Sequence, residues 1–137
     1  MFGTILLPVD GSPQSEKAVQ LAARLAAPAG NEVVVIHVIE LIPAKMGPVE
    51  LELREDGEAL VERYAKELAD VGVSTTTKVA RALRGRVGKV LVDAASDLDA
   101  GLIVMGCRGR GDLTSLLLGS VAHEVVQHSY CPVLIAR

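Results

Sequence analysis

The sequence predicts an α/β fold, in which one open, five-stranded parallel sheet carries helices on both of its faces. Short apolar runs alternate with amphipathic helical patterns along all 137 residues. Half of the residues are hydrophobic, yet Phe, Tyr and Trp together make up only 2%. The core is therefore built from Val, Leu, Ile and Ala, which suits parallel strands covered on both faces. The length indicates one domain, which we expect to span residues 1–137.

The N-terminal third of the chain predicts two strands and one helix. Residues 4–9 form a short apolar run, which predicts the first strand. The turn sequence at residues 10–13, Asp-Gly-Ser-Pro, follows it, and Ser12 can cap a helix that ends near Gly30. Residues 33–39 are rich in β-branched side chains and predict the second strand.

The middle of the chain is more polar. Residues 41–48 contain two prolines and are expected to form a loop. A second helix is expected from about residue 49 to residue 70, with Gly57 weakening its middle. We interpret the acidic run at residues 50–62 as the solvated face of that helix. Residues 73–80 predict a third, threonine-rich strand.

The C-terminal part predicts two further strands and two helices. Gly85 precedes a helical pattern with one apolar face, and residues 102–105 are a short apolar run that predicts the fourth strand. Residues 120–128 predict the last helix, and residues 132–136 predict the last strand.

Glycines follow the fourth predicted strand in a distinctive pattern. Gly106-Cys107-Arg108-Gly109 and then Gly119-Ser120 fit the spacing G-x-x-G-x9-G-S. Glycines allow the backbone to approach a bound group, and the helix that begins at Ser120 presents a terminus that favours phosphate. No Lys follows Gly119, so the segment is not a Walker A loop. Arg108 and Arg110 are candidate cations, and a purely structural glycine loop is the alternative interpretation.

This pattern resembles the nucleotide-binding motif of the universal stress protein family. The likeness extends over nearly the whole chain, from Pro8-Val9-Asp10-Gly11-Ser12 through His37-Val38 to Cys131-Pro132-Val133-Leu134. Alternation of strands and helices leaves several strand orders open, and the resemblance selects 3-2-1-4-5, a Rossmann-like, adenine nucleotide alpha hydrolase-like fold. In that order the winding reverses between the first and fourth strands, where open α/β sheets bind their ligands.

The resemblance also implies the ATP-binding branch of that family. Asp10 would contact the ribose or a metal near the phosphates, although Asp-Gly-Ser-Pro is also good turn chemistry. Val9 and Val38 would hold the adenine, and Mg²⁺ bound with ATP would have Asp10 and Ser120 as candidate ligands. The other implied nucleotide-binding residues are Pro8, Met105, Gly106, Arg108, Gly109, Gly119, Ser120 and Val121.

Composition argues against several other classes of protein. The net charge of −3 and the scarcity of aromatics argue against nucleic-acid binding. No apolar stretch reaches membrane-spanning length and no signal peptide is visible, so we expect a cytoplasmic protein that does not bind membranes. Two cysteines are too few for a disulfide framework. The three histidines show no metal spacing and are interpreted as structural or surface residues.

We expect a nucleotide-dependent regulatory or stress-response protein, since no nucleophile–base–orienter set is visible. A slow ATPase or nucleotide hydrolase on the same fold is one alternative, and a nucleotide-independent interaction module is another. The apolar strand at residues 132–136 would lie at the sheet edge. Such an edge tends to pair with another chain, so a homodimer through this strand is expected, besides a protein partner that the sequence does not identify.

Overall fold

A computed structural model describes residues 2–107 and 118–137. The strands in these residues are β1 (Thr4–Pro8), β2 (Glu32–Ile42), β3 (Val49–Glu50), β4 (Ser74–Leu83), β5 (Leu102–Gly106) and β6 (Val133–Ala136). The helices are α1 (Pro13–Ala29), α2 (Arg54–Asp70), α3 (Val87–Asp97) and α4 (Ser120–His128). Within the part of the chain that the structure describes, no helix is long and apolar enough to cross a membrane.

The strands form one sheet with β1 at its centre. β1 pairs in parallel with β2 and β5, while β4 pairs with β2 and β6 pairs with β5, also in parallel. The order β4-β2-β1-β5-β6 is therefore the expected 3-2-1-4-5. The short strand β3 is additional, and it pairs antiparallel with the far end of β2, Leu41 opposite Glu50 and Ile42 opposite Val49.

The segment between β2 and α2 differs from the sequence-based expectation. The prediction of a loop at residues 41–48 is wrong for its first two residues, because β2 continues through Leu41 and Ile42. The second helix begins at Arg54 rather than near residue 49, because residues 49–50 form β3. Strand β4 likewise continues past residue 80 to Leu83, where it still pairs with β2. Pairing between distant segments, which periodicity does not report, decides these boundaries.

The helices cover both faces of the sheet, as expected. Leu7, Val33 and Val35 are buried with the apolar sides of α1 and α2. Leu6 and Val34 are buried with α3 and α4 on the other face. Burial of both faces explains why the central strands are almost continuously apolar.

Tyr64 joins α1 to α2 at one side of the sheet. Its ring is buried, and its hydroxyl donates to Glu16 Oε1 at 2.9 Å. Arg63 Nη2 donates to the Tyr64 hydroxyl at 2.7 Å and lies in a cation–π contact, 4.5 Å from the ring centroid. Burial, followed by the hydrogen bond to Glu16, raises the pKa of Tyr64 to about 12 from the ordinary value of 10.0.

We expect Tyr64→Phe to lower the free energy of unfolding by about 1 kcal/mol, because the variant loses the hydroxyl that links the helices. The raised pKa of Tyr64 means that its contribution is complete below pH 10.0 and is lost as the pH rises towards about 12. Urea denaturation of both proteins at neutral pH and near pH 11 measures this. The difference between them should shrink at the higher pH, and a constant difference would contradict the assignment.

Candidate functional site

A cavity of about 710 Å³ lies at the carboxyl ends of β1, β2 and β5. This is the point where the winding of the sheet reverses, as the sequence predicts, and the volume is typical of small-molecule sites. Arg108 and Gly109 lie outside the described residues. The other predicted site residues all line the cavity: Pro8, Val9, Asp10, Val38, Met105, Gly106, Gly119, Ser120 and Val121.

The loop between β1 and α1 forms one wall. Asp10 Oδ1 accepts hydrogen bonds from the Ser12 N–H at 2.9 Å and from the Ser15 hydroxyl at 2.8 Å. Ser15 Oγ in turn accepts from the Asp10 N–H at 2.9 Å. Gly11 has φ +84°, a conformation that favours glycine. Asp10 therefore stabilises the turn through its side chain, in line with the turn chemistry of Asp-Gly-Ser-Pro. Asp10 also lies on the cavity wall.

The end of β2 presents backbone groups to the cavity. Ile36 O accepts from the Val9 N–H at 2.9 Å, and Glu40 O accepts from the Leu51 N–H at 3.0 Å. Alternate residues of a strand present their N–H and C=O to the same edge, so Val38 faces the space between these two contacts. Among the described residues, no backbone hydrogen bond fills that space. Val38 thus offers one donor and one acceptor to the cavity.

The N-terminus of α4 forms the opposite wall. Gly119 is the N-cap residue, and its N–H donates to Cys107 O at 2.6 Å, which joins the two described ends of the glycine segment. The next three residues, Ser120, Val121 and Ala122, all line the cavity. Their N–H groups have no carbonyl partner within the helix, since they belong to its first turn. Such a terminus favours an anion.

Gly106 has a packing role that does not depend on any ligand. A Cβ atom at this position would lie 2.6 Å from Gln14 Cβ and 3.0 Å from the Gln14 carbonyl carbon. Helix α1 therefore approaches the end of β5 more closely than any side chain at residue 106 allows. Packing alone therefore requires glycine at residue 106, which also lines the cavity.

The cavity wall contains a histidine–glutamate contact that the sequence did not predict. His37 is buried, and its ring nitrogens lie 2.8 Å from Val9 O and 2.7 Å from Glu52 Oε1. Gly57, expected in the middle of the second helix, lies in the first turn of α2. A Cβ atom on Gly57 would lie 3.2 Å from the His37 ring. The one sequence feature that could have indicated this contact is the position of His37 inside the apolar run of β2, where a polar ring needs hydrogen-bond partners. Glu52 was assigned to a solvated helix face, yet it precedes α2 and lines the cavity.

Residues 2–107 and 118–137 contain no group of three or more His, Cys, Asp or Glu residues that could hold a metal ion. Asp10 and Ser120, the predicted ligands, both line the cavity. Cys107 is buried, and its N–H donates to Ala136 O at 3.0 Å, so its small side chain is packed at the end of β5.

The model of the universal stress protein family matches residues 1–137. The chain belongs to the universal stress protein family. A universal stress protein of Thermus aquaticus is 37% identical over 139 residues, which cover 100% of both chains. Universal stress protein YxiE of Bacillus subtilis is 32% identical over 151 residues, again covering 100% of both. The resemblance noted in the sequence is thereby confirmed.

Several solved structures share this fold, among them three universal stress proteins. Hypothetical protein MJ0577 superposes with a TM-score of 0.82 at 27% identity, covering 99% of this chain and 96% of that one. A universal stress protein of Archaeoglobus fulgidus gives 0.77 at 25% identity, covering 100% of both chains. Two further members, one solved with cAMP and one with dAMP, are 23% and 22% identical with TM-scores of 0.73 and 0.71, which shows a shared fold.

Proposed function

We propose that this universal stress protein binds ATP with Mg²⁺ in the cavity, and that occupancy regulates its conformation or its binding to a protein partner in the cytoplasm. One observation carries the proposal. A single cavity has an open strand edge at Val38 on one side and the N-terminus of α4 on the other. These features suit the two chemically different ends of a nucleotide, a base with hydrogen-bonding edges and an anionic phosphate chain.

The base is proposed to lie at Val38. Adenine presents an acceptor at N1 and a donor at its 6-amino group, which complement one backbone N–H and one C=O. Val9 contributes its side chain only, because its N–H donates to Ile36 O and its C=O accepts from His37. Met105 is also buried on the wall. Aliphatic contacts of this kind suit a chain with few aromatic residues.

The phosphates are proposed to lie at Gly119, Ser120 and Val121, with Arg108 and Gly109 of the glycine motif beside them. Among the described residues, the lining carries the acidic side chains of Asp10, Glu40, Glu52 and Glu124 and the basic side chain of Arg84, with His37 beside Glu52. A triphosphate adds further negative charge, so a counter-ion is needed. Mg²⁺ prefers carboxylate, hydroxyl and phosphate oxygens, and Asp10 and Ser120 offer the first two.

Discrimination between bases tests this assignment, and the fold relatives solved with cAMP and dAMP guide the choice of an adenine probe. We expect ATP to bind at least about tenfold more tightly than GTP. Guanine has a donor at N1, which would face the Val38 N–H, and an acceptor at O6, which would face the Val38 C=O, so neither hydrogen bond could form. Calorimetric titration with each nucleotide and Mg²⁺ measures the ratio. Equal affinities would contradict base recognition at Val38.

The homodimer is proposed to form through β6. Among the described residues this strand pairs with β5 alone, so its other edge is open to a second copy. Leu134 is exposed on it. An isologous two-fold pairing satisfies such an edge in both copies.

A further inference from the structure

His37 connects the ligand loop to the segment that leads into α2. On one side its Nδ1 lies 2.8 Å from the carbonyl oxygen of Val9, the residue before Asp10. On the other side its Nε2 lies 2.7 Å from Glu52 Oε1. The ring itself is buried beneath the first turn of α2, against Gly57. Val9, His37 and Glu52 all line the cavity, so both contacts belong to its wall.

The two contacts together require two protons. A carbonyl oxygen only accepts, so Nδ1 carries a hydrogen that it donates to Val9. A neutral imidazole has a single N–H, and Nε2 would then be an acceptor facing a carboxylate oxygen. The distance of 2.7 Å is that of a hydrogen bond, so a second proton lies between the ring and Glu52. Either the ring is an imidazolium or the carboxyl group is protonated.

Loss of this second proton changes the wall in two ways. It leaves two lone pairs facing each other across the contact, which breaks it and frees Glu52 from the ring. It also adds one negative charge to this part of the protein. Other charges lie on the elements around the pair: Asp10 in the ligand loop, Glu40 at the end of β2, Glu55 and Asp56 in the first turn of α2, and Arg84 and Glu124 on the cavity wall.

We propose that His37 and Glu52 are a proton-sharing positioning pair, and that their shared proton holds the cavity in its binding form. This inference rests on the proposed nucleotide site. Binding is tight while the shared proton is present and weakens as the pH rises through its loss. Where binding requires the proton, the affinity falls by up to about tenfold per pH unit above that point.

Glu52→Gln is the decisive variant. The amide of Gln donates to Nε2 with nearly the same shape, so the contact persists without a titrating proton. Glu40→Gln is the matched control, because it removes a carboxylate from the same wall while the partners of both ring nitrogens, Val9 and Glu52, are unchanged. The affinity for Mg-ATP is measured from about pH 6 to about pH 10 for the native protein and both variants.

We expect the affinity for Mg-ATP to fall with rising pH to the same extent in the native protein and in Glu40→Gln. The affinity of Glu52→Gln should not show this fall, after correction for any pH-dependent change in affinity that all three proteins share. An equal slope in Glu52→Gln overturns the proposal. The ring nitrogens of His37 are followed by NMR in the ligand-free protein, which tests the pair even if no nucleotide binds. A proton on Nδ1, with deprotonation of the pair shifting the amide signals of Val9 and Glu52, supports it; an Nδ1 without a proton, or amide signals of Val9 and Glu52 that do not move with pH, overturn it.

Discussion

Gly106→Ala is expected to lower the free energy of unfolding by about 3 kcal/mol, towards the upper end for overpacked sites. The added methyl group would lie 2.6 Å from Gln14 Cβ and 3.0 Å from the Gln14 carbonyl carbon. Shortening the Gln14 side chain does not relieve the second contact, since it is with backbone. Helix α1 would have to move away from β5, and the part of the cavity wall that Ser15 and Gly106 line would change shape. Urea denaturation measures the loss.

Gly72→Ala shows what the same methyl group costs without crowding. No atom lies within 4 Å of the added group, but residue 72 has φ +84°, a left-handed conformation that residue 106 does not share. Backbone strain at residue 72 should cost about 1 to 2 kcal/mol. If Gly106→Ala costs less than about 1 kcal/mol, the low end for overpacked sites, the close approach of α1 to β5 does not constrain residue 106.

Asp10→Ala is expected to weaken Mg-ATP binding at least about tenfold and to lower the free energy of unfolding by about 2 kcal/mol, about 1 kcal/mol for each hydrogen bond that Oδ1 accepts. Those bonds come from the Ser12 N–H and the Ser15 hydroxyl. Asp10→Asn separates the two effects, because its amide oxygen still accepts both bonds but carries no charge. Calorimetry and denaturation are run on all three proteins.

The Asn variant should keep most of the stability and lose the affinity for Mg-ATP, if Asp10 acts on the metal or ribose through its charge. An Asn variant that binds Mg-ATP as tightly as the native protein would reduce Asp10 to a turn residue. If Asp10→Asn lowers the free energy of unfolding as much as Asp10→Ala does, the proposed hydrogen bonds of the loop are wrong.

The elements with complete local signals were predicted well. Helix α4 runs from Ser120 to His128 as expected, because a glycine precedes it and its apolar side is periodic. The end of β2 was not predicted, because local sequence favours a break after Glu40 while the pairing of Leu41 with both Leu83 and Glu50 extends the strand. Such pairing depends on segments far apart in the chain.

The same limit applies to the site. Val38 could be placed through the family resemblance and the apolar run around it, and the structure adds that its backbone faces the cavity. The contact between His37 and Glu52 could not be predicted, because 15 residues separate the partners and Glu52 belongs to a run that looks like a charged helix face. Arg108 and Gly109 stay predictions, since they lie outside the described residues.

Calorimetric titration of nucleotide-stripped protein with Mg-ATP tests the central claim most directly, beside a Gly109→Val, Gly119→Val double variant whose folding is verified by circular dichroism. Gly119 is buried on the cavity wall and is the N-cap residue of α4, so the variant adds bulk at the terminus that is proposed to bind the phosphates. We expect saturable binding by the native chain and none by the folded variant. Absence of binding by the native chain, or equal binding by both proteins, would contradict it.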